Sequence, residues 1–265
     1  LCQAKWLIAC DGAHSAVRHQ LNAEFKGSAY KERWWLADLL VDWSVTDKRM
    51  AIYINERGPL ACFPMGNKRY RIVMTAPNEL ARDPSLEEVI EEFQLRCTDV
   101  AELSHPFWLC EFSIHHRQVQ HYRFDKIFLA GDAAHIHSPM GGQGLNTGLQ
   151  DIYNLVWKLA LVEKLQAKPE LLDTYQEERF PVALDVVKKT DRMTRIILLK
   201  NPLLVMLRNR FISFMGSMAK VRRFMAKDIA ELSISHAKSS IVYQKGCAKN
   251  LKAGSYLPDF NLKNQ

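Results

Sequence analysis

A short apolar strand followed by a tight turn and a helix occurs twice in this chain, and about 110 residues separate the two copies. The first copy is the apolar run at residues 5–10, the turn Asp11–Gly12 and a helix from Ser15 to Leu21. The second copy is the apolar run at residues 126–130, a Gly-rich loop and a helix that begins near Gly144. Apolar strands that are each followed by a helix are typical of parallel sheets covered by helices. The repeated unit therefore predicts an α/β nucleotide-binding domain.

The segment between the two copies has a different texture, with short strand-like runs and turn residues from about 30 to 122. One helix interrupts these runs, because Ser85 and Glu88 have the spacing of a capping box. Beyond residue 170 the pattern is helical almost to 240, and we expect breaks at Pro181 and Pro202. The predicted fold is a partial Rossmann-like α/β domain, interrupted by a mixed β-sheet domain and followed by C-terminal helices. The predicted strands of the sheet domain are Trp34–Val41, Met50–Ile54, Leu60–Pro64, Tyr70–Thr75 and Trp108–Ile114.

Charge is distributed unevenly along the 265 residues. The chain carries 36 Lys and Arg against 29 Asp and Glu, a net charge of +7. From Pro181 onward there are 16 basic and 5 acidic residues, so the first 180 residues are net acidic. Hydrophobic residues at 48% and charged residues at 25% exclude a disordered or collagen-like chain. A basic C-terminal third indicates a solvated face on packed helices or an anionic partner surface.

The cysteines and the hydropathy of the chain indicate the cellular compartment in which the protein is expected. The six cysteines form no Cys-x-x-Cys pair, and several stand in apolar runs, as Cys10 and Cys110 do. This pattern favours buried, reduced thiols in a cytoplasmic protein over a disulfide framework. Since no stretch of 18 apolar residues occurs, we expect no membrane-spanning helix.

The strongest chemical signal is the run from Gly131 to Asn154. A strand delivers Asp132 to the carboxyl edge of the sheet, where an ionised carboxylate can accept hydrogen bonds from the hydroxyls of a ribose or ribityl chain. The glycines of the following loop let main-chain N–H groups approach a flat ring. The helix that begins at Gly144 directs unpaired N–H donors and a positive dipole end at the same place, which would stabilise a ring that becomes anionic on reduction.

A second, weaker signal is the run from Asp11 to Arg18. Gly12 permits a sharp turn after the strand, and Ser15 can cap the helix. Arg18 stands one turn into the helix, from where a guanidinium can reach a pyrophosphate. Taken alone, such a run more often makes only a turn.

Together the two runs resemble the "DG" and "GD" fingerprints of the class A single-component FAD monooxygenases, the family of p-hydroxybenzoate hydroxylase, phenol hydroxylase and 3-(3-hydroxyphenyl)propionate hydroxylase. The "DG" likeness covers residues 7–18, and the "GD" likeness runs from Asp125 to Leu155. The similarity continues through residues 171–182 into the helical tail. The resemblance implies that the sheet domain is a substrate domain inserted into the FAD domain.

The resemblance also implies roles for individual residues. Asp132, after Gly131, would hold the ribityl or ribose side of FAD, and Asp11, Gly12 and Arg18 would serve its pyrophosphate and the approach of NAD(P)H. The isoalloxazine would be lined by Pro139 and by the main chain of Gly142, Gly144, Leu145 and Asn146. Catalytic residues cannot be assigned from the sequence. Aromatic character alone nominates Trp34, Trp35, Tyr53, Phe63 and Trp108 as substrate contacts, and each is more typical of a core.

The implied reaction is a monooxygenation in which NADPH or NADH reduces FAD, oxygen adds to give a flavin hydroperoxide, and one oxygen atom passes to an aromatic, phenolic substrate. Alternatives are another FAD monooxygenation, such as epoxidation or polyketide tailoring, and an inactive truncated chain with a membrane- or protein-packing role. The expected partners are a small aromatic molecule and molecular oxygen. The oligomeric state stays open, a homo-oligomer included.

One departure from the family is the absence of the Gly-x-Gly-x-x-Gly segment that binds the ADP half of FAD. We therefore expect a fragment. Its expected parts are an FAD-domain part at 1–28, the inserted sheet at 29–123, an FAD-domain part at 124–165, a helical region at 166–250 and a linker at 251–265.

Three other kinds of site have less support. Five histidines lie close in sequence, but no cysteine or carboxylate spacing completes a metal site, so we predict none. The basic, apolar stretch 192–227 fits a helix on an anionic membrane surface, although the resemblance favours helices packed over the flavin domain. Nucleic-acid binding is not expected, because the aromatic residues are not interleaved with the basic ones.

Overall fold

The structure is a computed structural model that describes residues 3–45, 49–77, 82–246 and 252–256. The chain divides into two compact units, of which the first comprises residues 1–27, 116–191 and 216–265 and the second residues 28–115 and 192–215. The strands are β1 (Leu7–Ala9), β2 (Phe25–Trp43), β3 (Ala51–Asn55), β4 (Gly58–Gly66), β5 (Arg69–Thr75), β6 (Ala101–Val119), β7 (Arg123–Phe124), β8 (Ile127–Leu129) and β9 (His135–Ile136). The helices are α1 (Ala16–Gln20), α2 (Leu86–Arg96), α3 (Gly144–Glu163), α4 (Thr174–Ile197), α5 (Pro202–Ser217) and α6 (Ala219–Ile229).

The first unit contains both strand–turn–helix copies that the sequence predicts. Strands β1 and β8 pair in parallel with Ala9 opposite Leu129, and β7 pairs antiparallel with β8. Helix α1 begins after Ser15, whose hydroxyl accepts a hydrogen bond from the N–H of Arg18 at 3.0 Å. The predicted cap and the predicted parallel pairing are thus confirmed.

The core of the first unit fixes the place where β8 ends. Phe128, Leu129, Leu155 and Tyr175 are completely buried together. Burying one such side chain stabilises a fold by about 1.5–3 kcal/mol. The hydroxyl of Tyr175 also donates to the carbonyl oxygen of Leu129 at 2.9 Å. Helices α3 and α4 therefore hold the end of β8, from which the "GD" turn starts.

The second unit is built on a sheet in the order β3-β4-β5-β2-β6, in which β3 and β4, β4 and β5, and β5 and β2 pair antiparallel. One face of this sheet, with Trp35, Leu39 and Ile72, packs with Phe93 of α2 in a buried cluster. The capping box predicted for α2 is present, since the side chain and main chain of Ser85 exchange hydrogen bonds with Glu88. Strands β2 and β6 are longer than predicted, because ladder pairing does not require apolar side chains at exposed positions.

The break predicted at Pro181 is wrong. This proline lies inside α4 and has no N–H to donate to the carbonyl of residue 177. Because the position is exposed, water can hydrate that carbonyl and the helix continues. The break at Pro202 is confirmed, because α5 begins there. Proline suits the first position of a helix, where its missing N–H costs nothing.

The described cysteines are free: Cys10, Cys62, Cys97 and Cys110. Burial raises the pKa of the Cys62 thiol. The expectation of burial is wrong for Cys10, which is exposed at the end of β1. Cys2, Cys247 and most of the predicted linker at 251–265 lie outside the described residues. Within the part of the chain that is described, no helix has both the length and the apolar character needed to cross a bilayer.

Candidate functional site

The turns that follow β1 and β8 open on the same edge of the small sheet, because the two strands are parallel and in register. A cleft of about 690 Å³ lies at this edge, within the first unit. The predicted site residues that line it are Gly12, Gly131, Asp132, Pro139, Gly142, Gly144 and Leu145. Cys10, His137 and Gly148 line it as well.

Asp132 lies in a 3₁₀ turn, Gly131–Ala133, that follows β8 after one residue. Its carboxylate side chain is exposed at the cleft. Ala133, which completes the turn, and Ala134, which follows it, are fully buried in the core. Their packing in the core holds the turn in place. Asp132 is the residue of the turn whose side chain offers an exposed hydrogen-bond acceptor.

The beginning of α3 forms a second wall of the cleft. No side chain caps this end within the described residues, and the side chain of its N-cap residue, Gln143, donates to the carbonyl of Asp228 at 2.9 Å. The first N–H groups of an α-helix have no intrahelical acceptor, and the positive end of the helix dipole lies with them. This wall can therefore stabilise negative charge on a bound group.

Three of the glycines that line the cleft, Gly12, Gly131 and Gly142, have backbone conformations that other residues adopt only with strain. Gly12 has a φ of +82° and Gly142 a φ of +64°, and a Cβ added at either position would meet no atom within 4 Å. The absent side chains would therefore project into open space at the cleft. These glycines provide a left-handed backbone and a bare main-chain surface together.

Asp151 lies behind the turn and is fully buried, on α3. Its Oδ2 accepts hydrogen bonds from the N–H of Gly131 at 3.1 Å and from Nε2 of His135 at 2.7 Å. Its Oδ1 accepts from Nε of Arg179 at 2.7 Å. Burial alone would raise the pKa of Asp151, but the bonds from His135 and Arg179 outweigh it and hold that pKa below its usual value.

Three predicted site residues do not line the cleft. The guanidinium of Arg18 is buried and donates to the carbonyls of Ala133 and Ala13, at 3.1 and 2.6 Å. Asp11 accepts from the N–H of Val17 at 3.2 Å, while Asn146 is exposed in the first turn of α3. Burial tends to raise the pKa of Asp11, but its bonds at the start of α1 lower it overall. The cofactor roles assigned to these three residues remain predictions.

The aromatic candidates for substrate contact lie in the second unit and divide into two groups. Trp34 and Trp35 are buried, and the hydroxyl of Tyr53 donates to Asp99. Phe63 and Trp108 are 39% and 50% exposed, so among these five candidates they are the two that expose a large aromatic surface. Among the described residues no group of three or more His, Cys, Asp and Glu side chains is arranged to hold a metal ion.

Known proteins resemble this chain over most of its length. Pentachlorophenol 4-monooxygenase of Sphingobium chlorophenolicum is 37% identical over 199 residues, which cover 73% of this chain and 37% of that protein. An aromatic compound monooxygenase of Bacillus subtilis, itself uncharacterized, is 34% identical over 98% of this chain and 51% of its own length. The chain thus spans about half or less of these relatives.

A solved structure shares the fold. The anhydrotetracycline hydroxylase OxyS of Streptomyces rimosus superposes with a TM-score of 0.69 at 31% identity, over 87% of this chain and 46% of that one. Residues 2–190, which include both strand–turn–helix copies and the whole cleft, match the FAD binding domain family. The chain belongs to the FAD binding domain family.

Proposed function

We propose that this chain supplies the part of an FAD site that holds the isoalloxazine ring and the ribityl chain, in an NAD(P)H-dependent monooxygenase that hydroxylates a phenolic compound. The observation that carries the proposal is the cleft itself. It brings an exposed carboxylate, Asp132, together with bare glycine main chain and the uncapped beginning of α3.

The residues present fit a flavin on two further observations. Nε2 of His137 is buried without a hydrogen-bond partner among the described residues, while Nδ1 of the same ring bonds the carbonyl of Ser138 at 2.9 Å. The His137 ring lies 3.7 Å from the place where a Cβ of Gly144 would stand. Burial lowers the pKa of His137, which favours a neutral ring with one acceptor nitrogen. The cleft wall thus contains an acceptor nitrogen, Nε2 of His137, that has no donor among the described residues and lies next to Gly144.

FAD, when bound, supplies the redox chemistry and the activation of oxygen. Asp132 would accept hydrogen bonds from hydroxyls of the ribityl or ribose part, because an ionised carboxylate is only an acceptor. The N–H groups at the start of α3 would face the edge of the ring on which negative charge develops. Leu145 and Leu149 line the cleft with 76% and 60% of their surface exposed, and a ring lying there would cover apolar side chains that water now contacts.

A turnover assay tests the proposal. The chain is incubated with FAD, NADPH or NADH, and a set of phenols under ¹⁸O₂, and products are analysed by mass spectrometry. We expect one labelled oxygen atom per hydroxylated product, with the other released as water. Oxidation of the nicotinamide without any labelled product would contradict the hydroxylation.

The assay also addresses the alternative substrates. Relatives of this chain include a rifampicin monooxygenase of Streptomyces venezuelae and a 6-methylpretetramide 4-monooxygenase of Streptomyces rimosus. These names support keeping polyketide tailoring as a second candidate. Labelled products from multi-ring aromatic compounds, and none from simple phenols, would favour that candidate over phenol hydroxylation.

A further inference from the structure

We propose that Asp151 is a positioning residue of this site, which fixes the Gly131–Asp132 turn at a set distance from the beginning of α3. The inference rests on the proposed function, since it assigns the turn a role toward a flavin. The geometry that supports it consists of one carboxylate, three different donors and a close backbone contact.

The carboxylate of Asp151 connects three elements. It accepts from the N–H of Gly131 in the turn, from His135 in β9 and from Arg179 in α4. Arg179 extends the connection, because its Nη2 donates to the carbonyl of Thr147 in the first turns of α3 at 3.1 Å. The Gly131–Asp132 turn and the start of α3, the two polar walls of the cleft, are therefore joined through two buried side chains, those of Asp151 and Arg179.

The three donors make an ionised carboxylate necessary at this position. Both oxygens of Asp151 receive donors, and an ionised carboxylate is the side-chain group of this size that only accepts. In an asparagine one of these oxygens becomes an NH₂ group. That group would face either Arg179, or Gly131 and His135 together, so at least one connection is lost. Its buried partner would then lack an acceptor.

Close packing leaves little freedom for the turn. A Cβ added to Gly148 of α3 would lie 3.3 Å from Cα of Gly131. The turn therefore rests directly on the helix without a side chain between them. Since neither Gly131 nor Gly148 has a side chain that could adjust at this contact, the hydrogen bond from the N–H of Gly131 to Asp151 determines how the turn is oriented.

A second buried ion pair joins the same two helices and serves as a matched control. Lys158 of α3 donates to Glu178 of α4 at 2.8 Å, and Glu178 also accepts from Asn154 and Ser239. Glu178 is the chain neighbour of Arg179, yet none of these bonds involves the turn. Glu178→Gln thus disturbs the α3–α4 interface to a similar extent and leaves the turn in place.

The experiment compares Asp151→Asn, Glu178→Gln and the unchanged chain, each in the absence and presence of FAD. Amide hydrogen exchange of Gly131 is measured by NMR without FAD, at a temperature where all three chains are folded. We expect Asp151→Asn to exchange roughly tenfold faster or more at Gly131, as the loss of a hydrogen bond to a charged group implies, and Glu178→Gln to match the unchanged chain there. Equal exchange at Gly131 in all three chains would overturn the proposal.

FAD affinity, measured by titration of the same chains, provides the second readout. We expect Asp151→Asn to weaken binding by roughly tenfold, and Glu178→Gln to bind as the unchanged chain does. Equal weakening by both substitutions would reduce Asp151 to a structural role and overturn the proposal. If the unchanged chain showed no FAD binding, the proposed function would fail, and the exchange at Gly131 would still decide the role of Asp151.

A further variant covers the case in which Asp151→Asn does not fold. Gly148→Ala shifts the same turn by steric contact with Gly131 and removes no charge. We expect it to weaken FAD binding with the Asp151 bonds intact. Unchanged FAD affinity in Gly148→Ala would show that the spacing between turn and helix does not matter, which contradicts the proposal.

Discussion

The guanidinium of Arg18 donates a hydrogen bond to the carbonyl oxygen of Ala133, 3.1 Å away and 115 positions along the chain. This bond joins the helix of the first strand–turn–helix copy to the turn of the second. Arg18 also lies 4.0 Å from the centre of the Phe25 ring. A residue that the sequence associates with the cofactor thus connects the two motifs to each other.

Replacement of Arg18 tests this connection. Arg18→Met keeps much of the side-chain volume but leaves the carbonyls of Ala133 and Ala13 without their donor. We expect a loss of about 2 kcal/mol in the free energy of unfolding, because hydrogen bonds to charged groups contribute about 1.5–3 kcal/mol. Urea denaturation of Arg18→Met beside His19→Gln, an exposed neighbour, measures the effect. Equal stability of the two variants would contradict the structural role.

Glycine substitution separates backbone strain from obstruction of the cleft. Gly142→Ala forces a left-handed backbone onto alanine, which costs about 1–2 kcal/mol, and places a methyl group in open space at the cleft. We expect urea denaturation to show that loss in the free energy of unfolding, and titration with FAD to show weaker binding. Gly216→Ala is the control, because Gly216 lies in α5 with no atom within 4 Å of an added Cβ and a φ that alanine accepts. That substitution should raise stability by about 0.5–1 kcal/mol and leave FAD binding unchanged.

Ser85 tests the second unit on its own. Ser85→Ala removes the side-chain half of the capping box at α2 and should lower the free energy of unfolding by about 1 kcal/mol. Ser85→Thr retains a hydroxyl and should restore most of it. Thermal unfolding of the two variants makes the comparison. A Ser85→Thr variant as unstable as Ser85→Ala would show that the hydroxyl contributes nothing.

Asp38 gives the second unit a predictable response to acid. This carboxylate is 2% exposed, and hydrogen bonding to Arg71, at 2.8 Å, lowers its pKa. A carboxyl group whose pKa is lower in the folded state stabilises the fold above its unfolded pKa of about 3.9 and loses that effect as the pH falls through the folded value. We expect the stability difference between the unchanged chain and Asp38→Asn to shrink as the pH falls from about 6 to 3.

Asp42→Asn is the control for this pH series. Asp42 lies on the same strand in an ion pair with Lys68, and both side chains are 66% exposed. Exposed pairs contribute little to stability, so the pH profile of Asp42→Asn should follow that of the unchanged chain. A pH-independent difference between Asp38→Asn and the unchanged chain would contradict the assignment.

Helix α3 shows what the sequence can and cannot predict. Its position, its start at Gly144 and its relation to Asp132 follow from the strand signal and the glycines. Its buried face follows only in part: of the apolar positions at helical spacing, Leu155 is buried in the core, whereas Leu145, Leu149 and Val156 are exposed. The buried side chains of α3 also include three polar ones, Asp151, Asn154 and Lys158. Hydrophobic periodicity cannot identify these polar members of the face, because they are buried with hydrogen-bond partners on α4 and on the turn.

The partners of Arg18 illustrate a related difficulty. Local sequence shows that an arginine follows a helix cap, but a carbonyl 115 positions away has no sequence signature of its own. Asp151 is similar: it stands within the "GD" run, yet its contacts to Gly131 and Arg179 depend on how α3 and α4 pack. Motif spacing thus predicts which segments meet. The side chains that hold those segments together become visible only in three dimensions.

We propose that this chain binds FAD in the cleft between Gly12, Asp132 and Gly144, and a titration with FAD followed by ¹H–¹⁵N NMR tests this placement. Increasing FAD is added to the labelled chain, and the amide shifts of every described residue are followed, with Asp132→Ala as the comparison. We predict the largest shifts at Gly12, Gly131, Gly142 and Gly144, and a clear weakening of these shifts in Asp132→Ala. Shifts confined to residues away from the cleft, or the same binding curve in Asp132→Ala, would show that FAD does not bind there.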